Sequence, residues 1–260
     1  MFKNFSKSLN ACILASFYSS GSPQFNIVFK NGVFSIGIIW SCFKQLIIIS
    51  GISFVFTVGF RGAGLQIEFL FFNLVLWFLF LDTTNSTVSL PTKASLLNQV
   101  NINSFTYIFG HIIRIAIQYL LILLLSFAIF SLYELEVYYI EILRSFIFML
   151  LISCIYSILL CAALHNKKFL IELHGFFMQG MFFASSTVIP INIVPNPVRD
   201  ILLFNPIVHI QESIKSNVTG IELYYIDLTY PIIFISIGIF FVLPSLRYKD
   251  VKFNEELKIE

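Results

Sequence analysis

The stretch that decides the fold is Ile115–Tyr133, IAIQYLLILLLSFAIFSLY, which contains no Asp, Glu, Lys or Arg. A helix needs about 20 apolar residues to cross the ~30 Å hydrocarbon core of a bilayer, and this stretch is close to that length. Three more stretches are free of charge: Ser145–Leu164, Gly175–Val198 and Leu228–Leu246. Two others, near Gly37–Phe60 and Gln66–Leu90, are interrupted by the charges of Lys44 and Asp82. We therefore expect an all-α integral membrane protein with six transmembrane helices.

The composition agrees with a chain that lies mostly in lipid. Of its 260 residues 58% are hydrophobic and 12% charged, about half the charged fraction of a soluble domain. The formal net charge of +2 does not indicate a nucleic-acid partner. We expect a cytoplasmic or interfacial segment at 1–32, a six-span domain at 33–246 and a cytoplasmic tail at 247–260.

The six spans are predicted near 37–58, 66–90, 107–131, 142–164, 173–190 and 228–246. Before them, Leu9, Cys12, Ile13 and Phe17 recur at helical spacing and predict a short helix in the membrane interface. After span five, 191–227 contains several prolines and an amphipathic stretch at Ile207–Val218. We expect this segment to be the largest exposed surface outside the cytoplasm.

Orientation follows from the distribution of Lys and Arg, which favour the cytoplasmic side. With the N-terminus inside, ten of these residues lie in cytoplasmic segments and three outside, namely Arg61, Arg199 and Lys215. The reverse orientation would violate the rule, so the sequence predicts that both termini are cytoplasmic.

Two polar features interrupt the predicted spans. Lys44 lies toward the cytoplasmic end of span one, where a lysine can extend its ammonium group to the lipid headgroups. Asp82 is followed by a run of Thr, Asn and Ser that includes Asn85. Placing such a polar run against lipid costs free energy, so Asp82 and Asn85 are candidates for a pathway or subunit interface. The alternative is ordinary hydrogen bonding between helices.

The sequence contains no pattern typical of an enzyme site. Its four histidines lack metal-ligand spacing, and there is no GxSxG motif or nucleotide-binding P-loop. We therefore expect no catalytic residue, no metal and no cofactor in this chain, and no ATP hydrolysis by it alone. Most of its 31 Phe are expected to face lipid or the core, while a minority of the aromatic rings could stack on sugars along a passage.

The residues after span five carry a resemblance to a known family. FFASSTVIP at 182–190, followed by PVRDILLFNPIVHIQE at 197–212, resembles the permease subunit of bacterial ABC transporters that export polysaccharides, with capsular polysaccharide as the first choice. The resemblance implies a fifth span that ends at a proline, short periplasmic helices and then a sixth span. It places a periplasmic signature at Asn205, Pro206, His209 and Glu212.

The resemblance also implies partners and a mechanism. Two copies of the permease would form a passage for a lipid-linked polysaccharide in the bacterial inner membrane, and two separate ATPase subunits would drive it. Periplasmic export proteins are a further class of partner. Contact with the ATPases would be made by a cytoplasmic loop between spans two and three, consisting of Leu96, Leu97, Asn98, Gln99, Val100, Asn101 and Ile102.

Several alternatives remain open at this point. Permeases that export O-antigen, teichoic acid or drugs belong to the same superfamily. A secondary transporter is disfavoured because the two halves of the chain show no convincing similarity. An intramembrane transferase acting on lipid-linked substrates is disfavoured because Asp82 has no carboxylate neighbour in sequence, and Glu134, Glu136 and Glu141 lie on the side away from cytoplasmic donors.

Overall fold

The computed structural model describes residues 36–59, 67–88, 104–133, 138–163, 168–219 and 227–241. Within these ranges the chain is helical and contains no β-strand. The helices are α1 (Ile36–Gly59), α2 (Ile67–Val88), α3 (Ser104–Leu132), α4 (Tyr139–Ala163), α5 (Lys168–Ala184), α6 (Asn196–Leu202), α7 (Pro206–Thr219) and α8 (Thr229–Phe241). A 3-10 turn at Ile191–Ile193 lies between α5 and α6.

The first four helices are long and apolar enough to cross a membrane. They coincide with the first four predicted spans to within a few residues at each end. A helix satisfies its backbone hydrogen bonds internally, which is the condition for a single segment to cross hydrocarbon. The expectation of an all-helical chain is thus confirmed within the described ranges, and four of its helices have the length and composition that a membrane span requires.

Helix α2 is the centre of the bundle. It contacts α1, α3, α4, α5 and α7, and every residue from Phe69 to Trp77 is buried. A helix that packs against a single neighbour buries one stripe, so continuous burial requires partners on all sides. The ring of Phe72, for example, packs against those of Phe127 and Phe130 of α3 at centroid distances of 5.8 and 5.3 Å.

Ring contacts also give the relative directions of the helices. Near the start of α2, Phe72 contacts Phe127, and Phe127 contacts Tyr139 at the start of α4. Further along, Phe80 of α2 contacts Tyr156 of α4 at 5.6 Å. Helices α2 and α4 therefore run parallel, and the beginnings of both lie at one end of the bundle.

The predicted end of span five is wrong. We expected it near Pro190, but α5 ends at Ala184 and is 17 residues long, about 25 Å at 1.5 Å per residue. Residues 185–190 form turns, in which Ser186 takes a positive φ of 58° and the Ser185 hydroxyl donates to the Phe182 carbonyl. Hydroxyl side chains that bond nearby backbone compete with the helix, which explains its early end.

Helix α8 occupies the first part of predicted span six and packs closely on α4. A Cβ atom at Gly238 would collide with the side chain of Ile155, so the glycine permits this close approach. Small residues let helix backbones come together in the same way in membranes. The interfacial helix expected at residues 9–17 and the tail at 247–260 lie outside the described residues.

Candidate functional site: the buried segment between α5 and α8

The predicted signature residues lie in a segment that enters the helix bundle. Every residue from Pro206 to Ile214 of α7 is buried, and the helix contacts both α4 and α2. By contrast, α6 has no buried residue. The expectation that 191–227 forms an exposed surface is therefore wrong for the first two turns of α7, because its polar side chains have partners inside the bundle.

Asn205 and Pro206 form the junction between α5 and α7. The Asn205 side-chain oxygen accepts a hydrogen bond from the Ile207 N–H at 3.1 Å, and its amide donates to the Ala184 carbonyl at 3.4 Å. Asn205 thus caps the start of one helix and binds the end of another. Pro206 takes the first helical position, where its missing N–H costs no hydrogen bond.

His209 joins three parts of the segment. Its Nε2 lies 2.7 Å from the Leu203 carbonyl, and its Nδ1 accepts a hydrogen bond from the Asp227 N–H at 3.3 Å. Since a carbonyl accepts and an N–H donates, the neutral ring with hydrogen on Nε2 satisfies both contacts. The ring also packs against Tyr230 of α8 at 5.1 Å. His209 therefore fixes α7 to the start of α8.

Asp227 in turn organises the start of α8. Its carboxylate accepts a hydrogen bond from the Thr229 N–H at 2.8 Å, as an N-terminal cap does. Hydrogen bonds from the Thr229 side chain and backbone hold the pKa of this exposed carboxyl below its usual value. At the contact between α7 and α8, Asp227 therefore caps the start of α8, and the hydrogen-bonded ring of His209 belongs to α7.

Glu212 holds the turn that follows α5. Its Oε1 accepts a hydrogen bond from the Ile191 N–H at 2.7 Å, and both residues are buried. A carboxyl group buried in a membrane protein is costly and needs partners of this kind. The contact fixes the 3-10 turn against the middle of α7.

Neighbouring polar side chains complete what we call the polar layer, defined as Ser145, Ser185, Thr187, Gln211, Glu212 and Ser213. Gln211 and Thr187 are joined by two hydrogen bonds, at 3.0 and 3.3 Å, and Ser185 lies 2.6 Å from the Thr187 hydroxyl. The Ser213 hydroxyl donates to the Ile210 carbonyl, so the Ser145 hydroxyl of α4 is the donor to Ser213 at 3.1 Å.

These bonds define the path of the chain. It leaves α5 at Ala184, passes through the 3-10 turn and α6, and returns to the same carbonyl at Asn205. Helix α7 then runs alongside α4 as far as the Ser213–Ser145 contact. The segment thus forms a loop that begins at Ala184 and closes at Asn205. Helix α7, which follows the loop, is held inside the bundle by the polar layer.

Asp82 lies at the opposite end of the bundle from the polar layer. It is near the end of α2, whereas Ser145 is near the start of the parallel helix α4. Asp82 Oδ2 accepts a hydrogen bond from the Tyr119 hydroxyl of α3 at 2.6 Å. The structure therefore gives Asp82 a partner on a neighbouring helix and does not bring it together with the signature residues.

The polar run after Asp82 is bonded mainly within its own helix. The hydroxyls of Thr83, Thr84 and Thr87 donate to backbone carbonyls one turn back and are buried. Asn85 is exposed. Of this run, Asn85 is the residue whose side chain is available to a passage or to another subunit.

Asn73 is a polar residue that sequence reasoning missed. It lies in the middle of α2 and is fully buried, and among the described residues neither its Nδ2 nor its Oδ1 has a hydrogen-bond partner. Trp77, one turn further on, contacts Phe182 of α5 at 5.6 Å, so Asn73 lies on the side of α2 that faces α5. An amide in a stretch of Phe and Leu was the signal that could have identified it.

Other partners could not be identified from their positions in the chain. Tyr119 and Gln211 bond residues 37 and 24 positions away, and nothing local marks either pair. The predicted ATPase-contact loop, Leu96–Ile102, lies outside the described residues. Within the described ranges, no three His, Cys, Asp or Glu side chains are grouped so that they could hold a metal ion.

The chain was compared with known protein families and with curated proteins. No family model matches it, and no curated protein matches it.

Proposed function

We propose that this chain is the membrane permease subunit of an ABC transporter that exports a cell-surface polysaccharide, with capsular polysaccharide as the first choice. The chain would act as a pair of copies in the bacterial inner membrane and would take a lipid-linked polysaccharide as substrate. A separate pair of ATPase subunits would supply the energy, since the sequence has no nucleotide-binding loop.

The observation that carries the proposal is the set of bonds made by the signature residues. Asn205, His209 and Glu212 each bond a different part of the segment between α5 and α8. The resemblance implies short helices at this place, after the fifth span and before the sixth. Residues with such contacts would hold these helices in a defined position across the outer half of a passage.

The exposed face of α5 supports a passage or a subunit contact. His174 and Met178 are buried, whereas Glu172, Gly175 and Gln179 are exposed along the same helix. A carboxylate and an amide within a span do not face lipid without cost. We infer that this face of α5 turns toward a second copy of the chain, around a route that polar sugars can follow.

The proposed topology has six spans with both termini in the cytoplasm. Helices α5 and α8 would provide the last two spans, and the loop containing Leu96–Ile102 would reach the ATPase. Closure of the two ATPases on ATP would then move the spans as rigid bodies, a common form of conformational switching.

The experiment that tests the proposal is capture of the tagged chain in mild detergent, followed by mass spectrometry and an ATPase assay. We expect a nucleotide-binding subunit in equal amount, and loss of surface polysaccharide when the chain is deleted. A Glu212→Leu variant should retain the ATPase and fail to restore the polymer, whereas Asp200→Asn, at an exposed carboxyl group of α6, serves as the acidic control.

Two outcomes would contradict the proposal. One is a folded chain that reproducibly binds no ATPase, which would favour a secondary transporter or a transferase. The other is surface polysaccharide that is unchanged on deletion while a small hydrophobic compound accumulates, which would favour a drug exporter of the same superfamily.

A further inference from the structure

Tyr119 of α3 lies where α3 packs against α2. Its hydroxyl donates to the Asp82 carboxyl group of α2 at 2.6 Å. The Tyr119 side chain is fully buried. This hydrogen bond therefore joins α2 to α3 inside the bundle.

A second contact strengthens the same place. The buried Cys42 thiol of α1 lies 3.6 Å from the carbonyl of Gln118, the residue next to Tyr119. We call the set Cys42, Asp82, Gln118 and Tyr119 the three-helix tie, because its two contacts join α1 and α2 to α3. Elsewhere in the described part of α1, the side-chain hydroxyls of Ser53 and Thr57 donate to the backbone of the same helix.

The bond between Tyr119 and Asp82 is short, at 2.6 Å, and its donor is fully buried. A hydrogen bond is electrostatically stronger in the low-dielectric interior of a bundle than in water, so this bond resists separation of α2 from α3.

The position of the tie relates it to the segments proposed to contact the ATPase. Asp82 is six residues before the end of α2, and Cys42 is six residues after the start of α1, so each lies about 9 Å from its helix end. Those ends lead into residues 89–103 and 1–35. Under the proposed function, the first of these segments contains the loop that meets the ATPase, and the second lies on the same side of the membrane.

We propose that Tyr119 is a positioning residue through which α2 and α3, with α1 attached at Gln118, move as one body when the ATPases close. This inference rests on the proposed function. Without the tie, movement at either cytoplasmic segment would be passed between these helices by side-chain packing alone, and more ATP would be hydrolysed for each polymer exported. Tyr119 thus couples hydrolysis to export and touches neither ATP nor polymer.

The test measures export and ATP hydrolysis together in the assembled complex with its ATPase. Tyr119→Phe removes a single oxygen atom and should lower the amount of polymer exported per ATP by about 5- to 30-fold, while hydrolysis continues. Tyr156→Phe is the matched control, because its hydroxyl contacts His174 at 3.5 Å between α4 and α5, outside the tie. This control should export as much polymer per ATP hydrolysed as the native chain does.

A second pair of variants separates coupling from folding. Asp82→Asn keeps an oxygen that can accept from Tyr119 and should retain most of the coupling, whereas Asp82→Leu should lose it. Two results, each in a complex that still contains the ATPase, would overturn the role of the tie. One is an unchanged amount of polymer exported per ATP in Tyr119→Phe, and the other is an equal fall in that amount in Asp82→Asn and Asp82→Leu. Failure of the native chain to bind an ATPase would overturn the proposed function and this inference with it.

Discussion

Replacing Glu212 by Leu tests whether the buried segment is held as described. The change removes the oxygen that accepts from the Ile191 N–H at 2.7 Å, where Ile191 is 1% exposed. A buried donor left without a partner costs about 1–3 kcal/mol. We therefore expect local opening of residues 185–193 to become roughly 5- to 150-fold more frequent.

Hydrogen exchange followed by mass spectrometry in detergent measures this opening directly. Peptides containing Ile191 should exchange faster in Glu212→Leu, while peptides from the middle of α2 should not change. Glu212→Gln keeps the accepting oxygen and should stay close to the native rate. The matched control is Glu172→Leu, which removes an exposed carboxyl from α5.

The reasoning would be refuted by either of two results. If Ile191 exchanged at the native rate in Glu212→Leu, the hydrogen bond would not hold the turn. If Glu212→Gln opened as much as Glu212→Leu, charge rather than hydrogen bonding would be responsible for holding it.

Three further substitutions have defined outcomes. Asn73→Leu removes a buried amide without described partners and should raise the free energy of unfolding by about 1–3 kcal/mol, seen as a higher midpoint of thermal unfolding in detergent; a lower midpoint would mean that the amide is satisfied. Gly238→Ala should lower the free energy of unfolding by about 1–3 kcal/mol, because the added methyl group collides with Ile155. In a double-mutant cycle, Ile155→Ala should relieve part of that loss, whereas strictly additive effects would argue against the contact. His209→Phe keeps a ring but loses both backbone contacts, so exchange should increase at the start of α8 and remain unchanged in α3.

The helices could be predicted from the sequence, but their ends and partners could not. Ile115–Tyr133 predicts a span because a charge-free run of that length has few other stable environments. The end of α5 was misplaced because Pro190 is a strong breaker signal, while the helix ends earlier, at the run of hydroxyl side chains from Ser185 to Thr187. That run was a local signal, because its hydroxyls bond each other and nearby backbone and so compete with the helix.

The candidate site was predicted in part. The sequence and its resemblance singled out Asn205, His209 and Glu212, and the structure gives each of them a bonded partner. The amphipathic pattern of α7 misled us because polar side chains at a helix surface can face either water or other polar side chains. Gln211 faces Thr187, and the two lie too far apart in sequence for the pair to be predicted.

The central position of α2 has a consequence for how the chain is made. The ribosome synthesises α2 before α3, α4, α5 and α7, yet these later helices provide most of the contacts of α2. At that stage Asp82 has not met Tyr119, so the newly inserted helix exposes a carboxyl group to lipid or to the insertion machinery. Nascent chains truncated after α2 should therefore be retained by membrane chaperones or degraded, and those extended through α4 should be released.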